Sequence, residues 1–177
     1  MPIARQARLS ILIVVSLALA GAAAAQRGST ANNGPGSLSA SNPYGINATL
    51  REAMDSMQAK NYELAERKFL EVLQDKPTEP RANLMLGVTE MALMKWEEAK
   101  KYLTTAVAIS PREPDPKSRL GVTLAKLGDL DGAAKQRADL ATMDKACKGK
   151  CLNAKWIADG IVMIDGAVSA AKAAPAQ

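Results

Sequence analysis

Three stretches decide how this chain folds: YELAERKFLEVLQDKP at residues 62–77, WEEAKKYLTTAVAISP at 96–111 and LDGAAKQRADLATMDK at 130–145. Each begins 34 residues after the one before. Each opens on an aromatic or large apolar residue and has Ala in fourth place: Tyr62 and Ala65, Trp96 and Ala99, Leu130 and Ala133. Self-similarity at a fixed period of this length marks an architecture of stacked units, none of which buries its apolar face alone. The same pattern therefore has one structural job, used three times.

Composition agrees with that reading. Of 177 residues, 47% are apolar, enough for a core, while only 3% are aromatic. The middle of the chain is written in Ala, Leu, Met, Lys and Glu, good helix formers, so an all-α body is expected. Histidine is absent, which excludes imidazole triads, His–Cys thiol proteases, HExxH zinc sites and CxxCH haem attachment. No carboxylate pair, Gly-rich phosphate loop or metal-ligand cluster stands out, so no catalytic residue, metal or cofactor is expected. The formal charge is +5, of which Arg5 and Arg8 contribute two. Lysines alternate with Glu and Asp along the expected helices, which reads as solvated helix faces and not as a nucleic-acid patch.

Apolar spacing and breakers place a helix pair in each unit. The first pair spans about 48–59 and 62–74, closed by Pro77; the second, about 81–93 and 96–109, closed by Pro111; the third, about 116–127 and 130–146. A further helical pattern covers 153–172, with Ile157, Ile161, Ile164 and Val168 in one stripe at i, i+4, i+7 and i+11. Trp156 and Met163 lie off that stripe, and Gly160 and Gly166 weaken the helix, leaving open whether it frays or offers a second apolar face.

These residues resemble the tetratricopeptide repeat (TPR). Unit two carries Leu86-Gly87, Trp96, Ala99, Leu103, Ala106 and Pro111; unit three carries Leu120-Gly121, Gly128-Asp129-Leu130 and Ala133. Unit one has Tyr62, Ala65, Phe69 and Pro77, but Glu52-Ala53 stands where Leu-Gly belongs. Unit three departs too, with Arg137 in place of the large apolar residue and Lys145 in place of Pro. The resemblance implies an α-solenoid of three helix-turn-helix units, at about 46–79, 80–113 and 114–147, with 148–177 holding a capping helix and a short tail. Gly87, Gly121, Ala99 and Ala133 are expected where the two helices of a unit approach closely, and Phe69 and Leu103 between successive units.

The resemblance also implies a site. The first helix of each unit lines a concave groove, which assigns Leu50, Met54, Met57, Leu84, Val88, Met91, Val122 and Ala125 to it, with Asn47, Arg81 and Lys126 at its edges. The Asn and Lys set with which chaperone-binding relatives clamp a carboxylate is absent from those positions, so a terminal carboxylate is not the expected ligand. Methionine suits adaptable apolar recognition. Residue by residue, the alternative is plain inter-helix core. The expected function is a non-enzymatic adaptor for an apolar peptide or helix of another protein.

The ends of the chain complete the picture. Residues 1–25 combine Arg5 and Arg8, an apolar run over 9–20 and small residues ending at Ala25, as in a secretory leader cleaved after about Ala25. That predicts a periplasmic product with no membrane span in the mature chain. Residues 26–45 are rich in Gly, Ser, Asn and Pro and read as a flexible linker. In an exported chain Cys147 and Cys151, the two cysteines, read as a disulfide. Two alternatives stay open: a small thiol-redox protein using that C-x3-C pair, and an inner-membrane-anchored adaptor whose leader is not cut.

Overall fold

The computed structural model describes residues 48–173. The expected leader, the linker and Asn47 lie outside them. Seven helices follow one another: α1 (Ala48–Gln58), α2 (Tyr62–Asp75), α3 (Pro80–Ala92), α4 (Trp96–Ile109), α5 (Pro114–Lys126), α6 (Leu130–Cys147) and α7 (Ala154–Ala173). The described residues hold no strand. The second helices start at 62, 96 and 130, the period read in the sequence.

Local chemistry repeats with the same period. The residues that turn the chain from the first helix of a unit into the second are Lys60, Met94 and Gly128, with φ of 60°, 59° and 80°. Only Gly takes this left-handed conformation without steric cost, so units one and two carry strain that unit three avoids. Asn61 and Asp129 then cap their helices, their side-chain oxygens accepting from the N–H of Leu64 at 3.3 Å and of Gly132 at 2.8 Å. Lys95, the equivalent in unit two, makes no such cap. Pro77 and Pro111 stand two residues beyond the ends of α2 and α4. Unit three lacks that stop, so α6 runs 18 residues where α2 and α4 run 14, and ends where Lys148 turns left-handed.

Within each unit the two helices pack side by side, and α2 meets α3 as α4 meets α5. The first helices also touch along the array, α1 against α3 and α3 against α5, whereas α2 and α4, or α4 and α6, do not. A row whose members touch lies on the inside of a bend, so α1, α3 and α5 form the inner layer. Ala65, Ala99 and Ala133 are all fully buried. One core cluster gathers Leu50, Phe69, Val72 and Leu86; a second gathers Leu103, Leu120, Leu124, Leu140, Ile157 and Ile164.

Two glycines at the C-terminal end have roles that the repeat register does not give. A Cβ on Gly87 would meet Leu103 Cγ at 2.6 Å, the close approach of two helices in one unit. A Cβ on Gly121 would instead meet Ile164 Cδ1 of α7 at 2.5 Å before anything on α6. The column that holds Phe69 and Leu103 continues to Arg137, and Ile164 supplies the missing apolar volume. Arg137 turns to Asp165, the next residue of α7, in a two-pronged ion pair with Nη2 to Oδ2 at 2.9 Å. Gly160 has a packing role beside its low helix propensity: its missing Cβ lets α7 close on Ser118 and Leu140, where a Cβ would sit 2.8 and 3.1 Å from their side chains.

Candidate functional site

The inner layer is where the fold leaves apolar side chains half-covered. Met54 on α1, Val88 on α3 and Val122 on α5 occupy one column of the repeat, 34 residues apart, and all three are half-buried. Met57 and Met91 form the neighbouring column, and Leu84, Val88 and Met91 follow one another at i, i+4 and i+7 on one face of α3. Since α1 touches α3 and α3 touches α5, these positions make one continuous row. Met54 and Met57 rest on the first core cluster, and Leu84, Met91 and Val122 on the second, so each is held at its base and open above.

Other members of the expected site fall elsewhere. Leu50 is 3% exposed and belongs to the core. Ala125, in the column of Met57 and Met91, is buried, and so is Ser118, in the column of Leu50 and Leu84, which lies beneath Gly160 of α7. The row therefore fades along α5, where α7 covers its lower end. Arg81 is exposed at the start of α3. Lys126 is exposed at the end of α5, its Nζ 5.9 Å from the ring centre of Trp96. Among the described residues, neither Arg81 nor Lys126 forms an ion pair, so both charges flank the row without a carboxylate partner.

Sequence reasoning missed the buried polar residues beside this row. Asn83, 2% exposed, donates to the carbonyls of Pro77 at 3.0 Å and Glu79 at 2.9 Å and so fixes the link between units one and two. Lys117, one period later, is 7% exposed and reaches Asp139 at 3.5 Å. Glu90 is 2% exposed, its Oε2 without a hydrogen bond and 3.9 Å from Lys95 Nζ. Burial first, then the charge of Glu66, raises its pKa to about 7. The 34-residue columns held the signal: Glu90 sits between Ser56 and Leu124, a carboxyl in a column whose last member is core.

Cys147 and Cys151 form a disulfide with Cα atoms 5.3 Å apart, closing the turn between α6 and α7. Among the described residues no helix is long and apolar enough to cross a membrane.

No family model matches the sequence, and no curated protein matches it. Solved structures do. PcrH in complex with the chaperone binding region of PopD has a TM-score of 0.60 at 19% identity, over 69% of this chain and 90% of that one. The type III secretion translocator chaperone SycD of Yersinia enterocolitica has a TM-score of 0.60 at 16% identity, over 72% and 86%. The TPR2B domain of yeast Sti1, in a complex with an Hsp70 peptide, has a TM-score of 0.57 at 15% identity, over 67% and 94%. At such identities the likeness establishes the fold: an all-α solenoid of tetratricopeptide type.

Proposed function

We propose that this tetratricopeptide solenoid is a non-enzymatic scaffold that holds an apolar peptide or helix of another protein on the row formed by α1 and α3. The observation that carries the reading is the unbroken series Met54, Met57, Leu84, Val88 and Met91, half-buried on an inner layer whose helices touch. Three of the five are methionines, whose flexible thioethers re-pack around partners of different shape. In helix-in-groove recognition the partner helix supplies anchors at i, i+3, i+4 and i+7, and an apolar row of this kind receives them. Structures of the same fold solved with a peptide or chaperone-binding region of a partner support the reading. The site residues of the proposal are Met54, Met57, Leu84, Val88, Met91 and Val122, flanked by Arg81 and Lys126.

The proposal includes the compartment. The leader-like residues 1–25 and the even cysteine count support export to the periplasm, where the disulfide persists. The mass of the protein isolated from the periplasm tests this directly: loss of residues 1–25 is expected, and an intact leader points to an anchored adaptor.

A photo-crosslinking residue placed at Val88 is expected to capture a partner in intact cells, while one at exposed Glu97 on α4 is not. Met91→Glu is expected to lower capture at Val88 at least tenfold with the helical circular dichroism unchanged. Equal capture from both positions, or capture insensitive to Met91→Glu, moves the site off the inner layer.

A further inference from the structure

The end of the array remote from α1 carries a second concavity that shares no residue with the row on α1 and α3. It has a volume of about 460 Å³ and is walled by Met143 and Cys147 of α6, Ile157 of α7, and Cys151 and Leu152 of the turn between them, with Arg112 at its rim. Its walls are apolar, and the disulfide builds one of them. Leu152 beside it is fully exposed and Trp156 is 59% exposed, so apolar side chains continue outward from the cavity.

Cations outnumber carboxylates around this cavity: Arg112 lines it, Lys148 and Lys150 lie in the turn between its two cysteines, and Lys145 stands just before that turn. Arg112, Lys145, Lys148 and Lys150 are exposed, and none forms an ion pair among the described residues. Glu113 and Asp144, their neighbours in sequence, are exposed and do not pair with them either. Four cations around an apolar hollow complement a segment that presents a bulky apolar side chain between carboxylates. The cations draw it in and set its register, and burial of the apolar side chain holds it.

We propose that the cavity between α6, α7 and the Arg112 turn is a second docking site, for an acidic peptide segment of a partner protein bearing a large apolar anchor. The hollow suits an inserted side chain, and the exposed Leu152 and Trp156 extend the apolar contact along the segment that carries it.

The test uses the full chain with its disulfide intact and three fluorescein-labelled octapeptides that alternate Glu–Leu, Lys–Leu or Glu–Ser, read by fluorescence anisotropy. Binding of the Glu–Leu peptide alone is expected. Arg112→Glu and the double change Lys148→Glu with Lys150→Glu are each expected to weaken it at least tenfold, and Met91→Glu less than twofold. These sites are exposed, so the variants retain the wild-type melting profile. Binding of Lys–Leu or Glu–Ser equal to that of Glu–Leu overturns the proposal, because charge or the apolar anchor is then not read. A tenfold loss with Met91→Glu overturns it too, by returning the peptide to the inner row. Sedimentation with phosphatidylglycerol vesicles, without peptide binding, assigns the cations to a lipid surface instead. The inner-row reading stands or falls separately, on capture at Val88.

Discussion

Glu90 is the residue whose environment departs furthest from its chemistry. It is packed against α2 and α4 with Glu66 and Glu98 facing it and Lys95 as the one nearby cation. Lys95, however, is engaged by Glu66 at 2.7 Å, and that hydrogen bond raises the pKa of the lysine. Glu90 is thus left to neutralise itself by holding a proton. Its pKa is raised from about 4.5 to about 7, so between these values the folded chain binds more protons than the unfolded one. The resulting stabilisation is complete below about pH 4.5 and is lost as pH rises through about 7. Wild-type protein is expected to be more stable to urea at pH 5.5 than at pH 8.5, by about 2 kcal/mol, at roughly 1.4 kcal/mol for each pH unit between 5.5 and the raised pKa of about 7. Glu90→Gln keeps the shape without the titration and is expected to flatten that difference. An equal slope in wild type and variant assigns the pH dependence to other groups.

At the scale of elements, most of the array was legible because its signals are local and periodic. Ala65, Ala99 and Ala133 and the stops at Pro77 and Pro111 repeat in register, with Gly128-Asp129 marking the third turn, and helix starts follow from them. What α7 does was not legible. Its stripe of Ile157, Ile161, Ile164 and Val168 announces an apolar face, but a stripe does not say which helix receives it. The departures of unit three held the answer: Arg137 leaves the Gly121 contact without its apolar partner, and only a helix from outside the repeat can supply it. Gly121→Ala tests this pairing. The new methyl is expected to cost about 1 to 3 kcal/mol through its clash with Ile164. Adding Ile164→Val, which removes Cδ1, is expected to recover part of that loss, giving a favourable coupling in a double-mutant cycle of thermal melts. Additive costs in the double mutant indicate that α7 does not seat on Gly121.

Across the described residues, the candidate site was legible only to the level of the helix that carries it. Counting columns placed Met54, Val88 and Val122 together, but it also enrolled Leu50 and Ala125, which the core takes, because a repeat register fixes direction and not depth. Depth is set by neighbours: α7 over Ser118, and the first core cluster around Leu50. Those two core clusters have a mechanical consequence. In a stacked array each unit is stabilised by its own packing and that of its neighbour, so damage at one end is felt mainly there. Leu140 is fully buried in the second cluster, beside Gly160. Leu140→Ala is expected to cost about 2 to 5 kcal/mol. Hydrogen exchange followed by mass spectrometry is expected to show that loss as faster exchange in α5, α6 and α7, with amides of α1 and α2 changed less than threefold. The α1 part of the row, Met54 and Met57 on the first cluster, then survives loosening of the far end, while Leu84 and Met91 of α3 rest on the damaged cluster and feel it. Equal acceleration in all seven helices means that the array opens as a single unit and that occupancy of the two sites is coupled through stability.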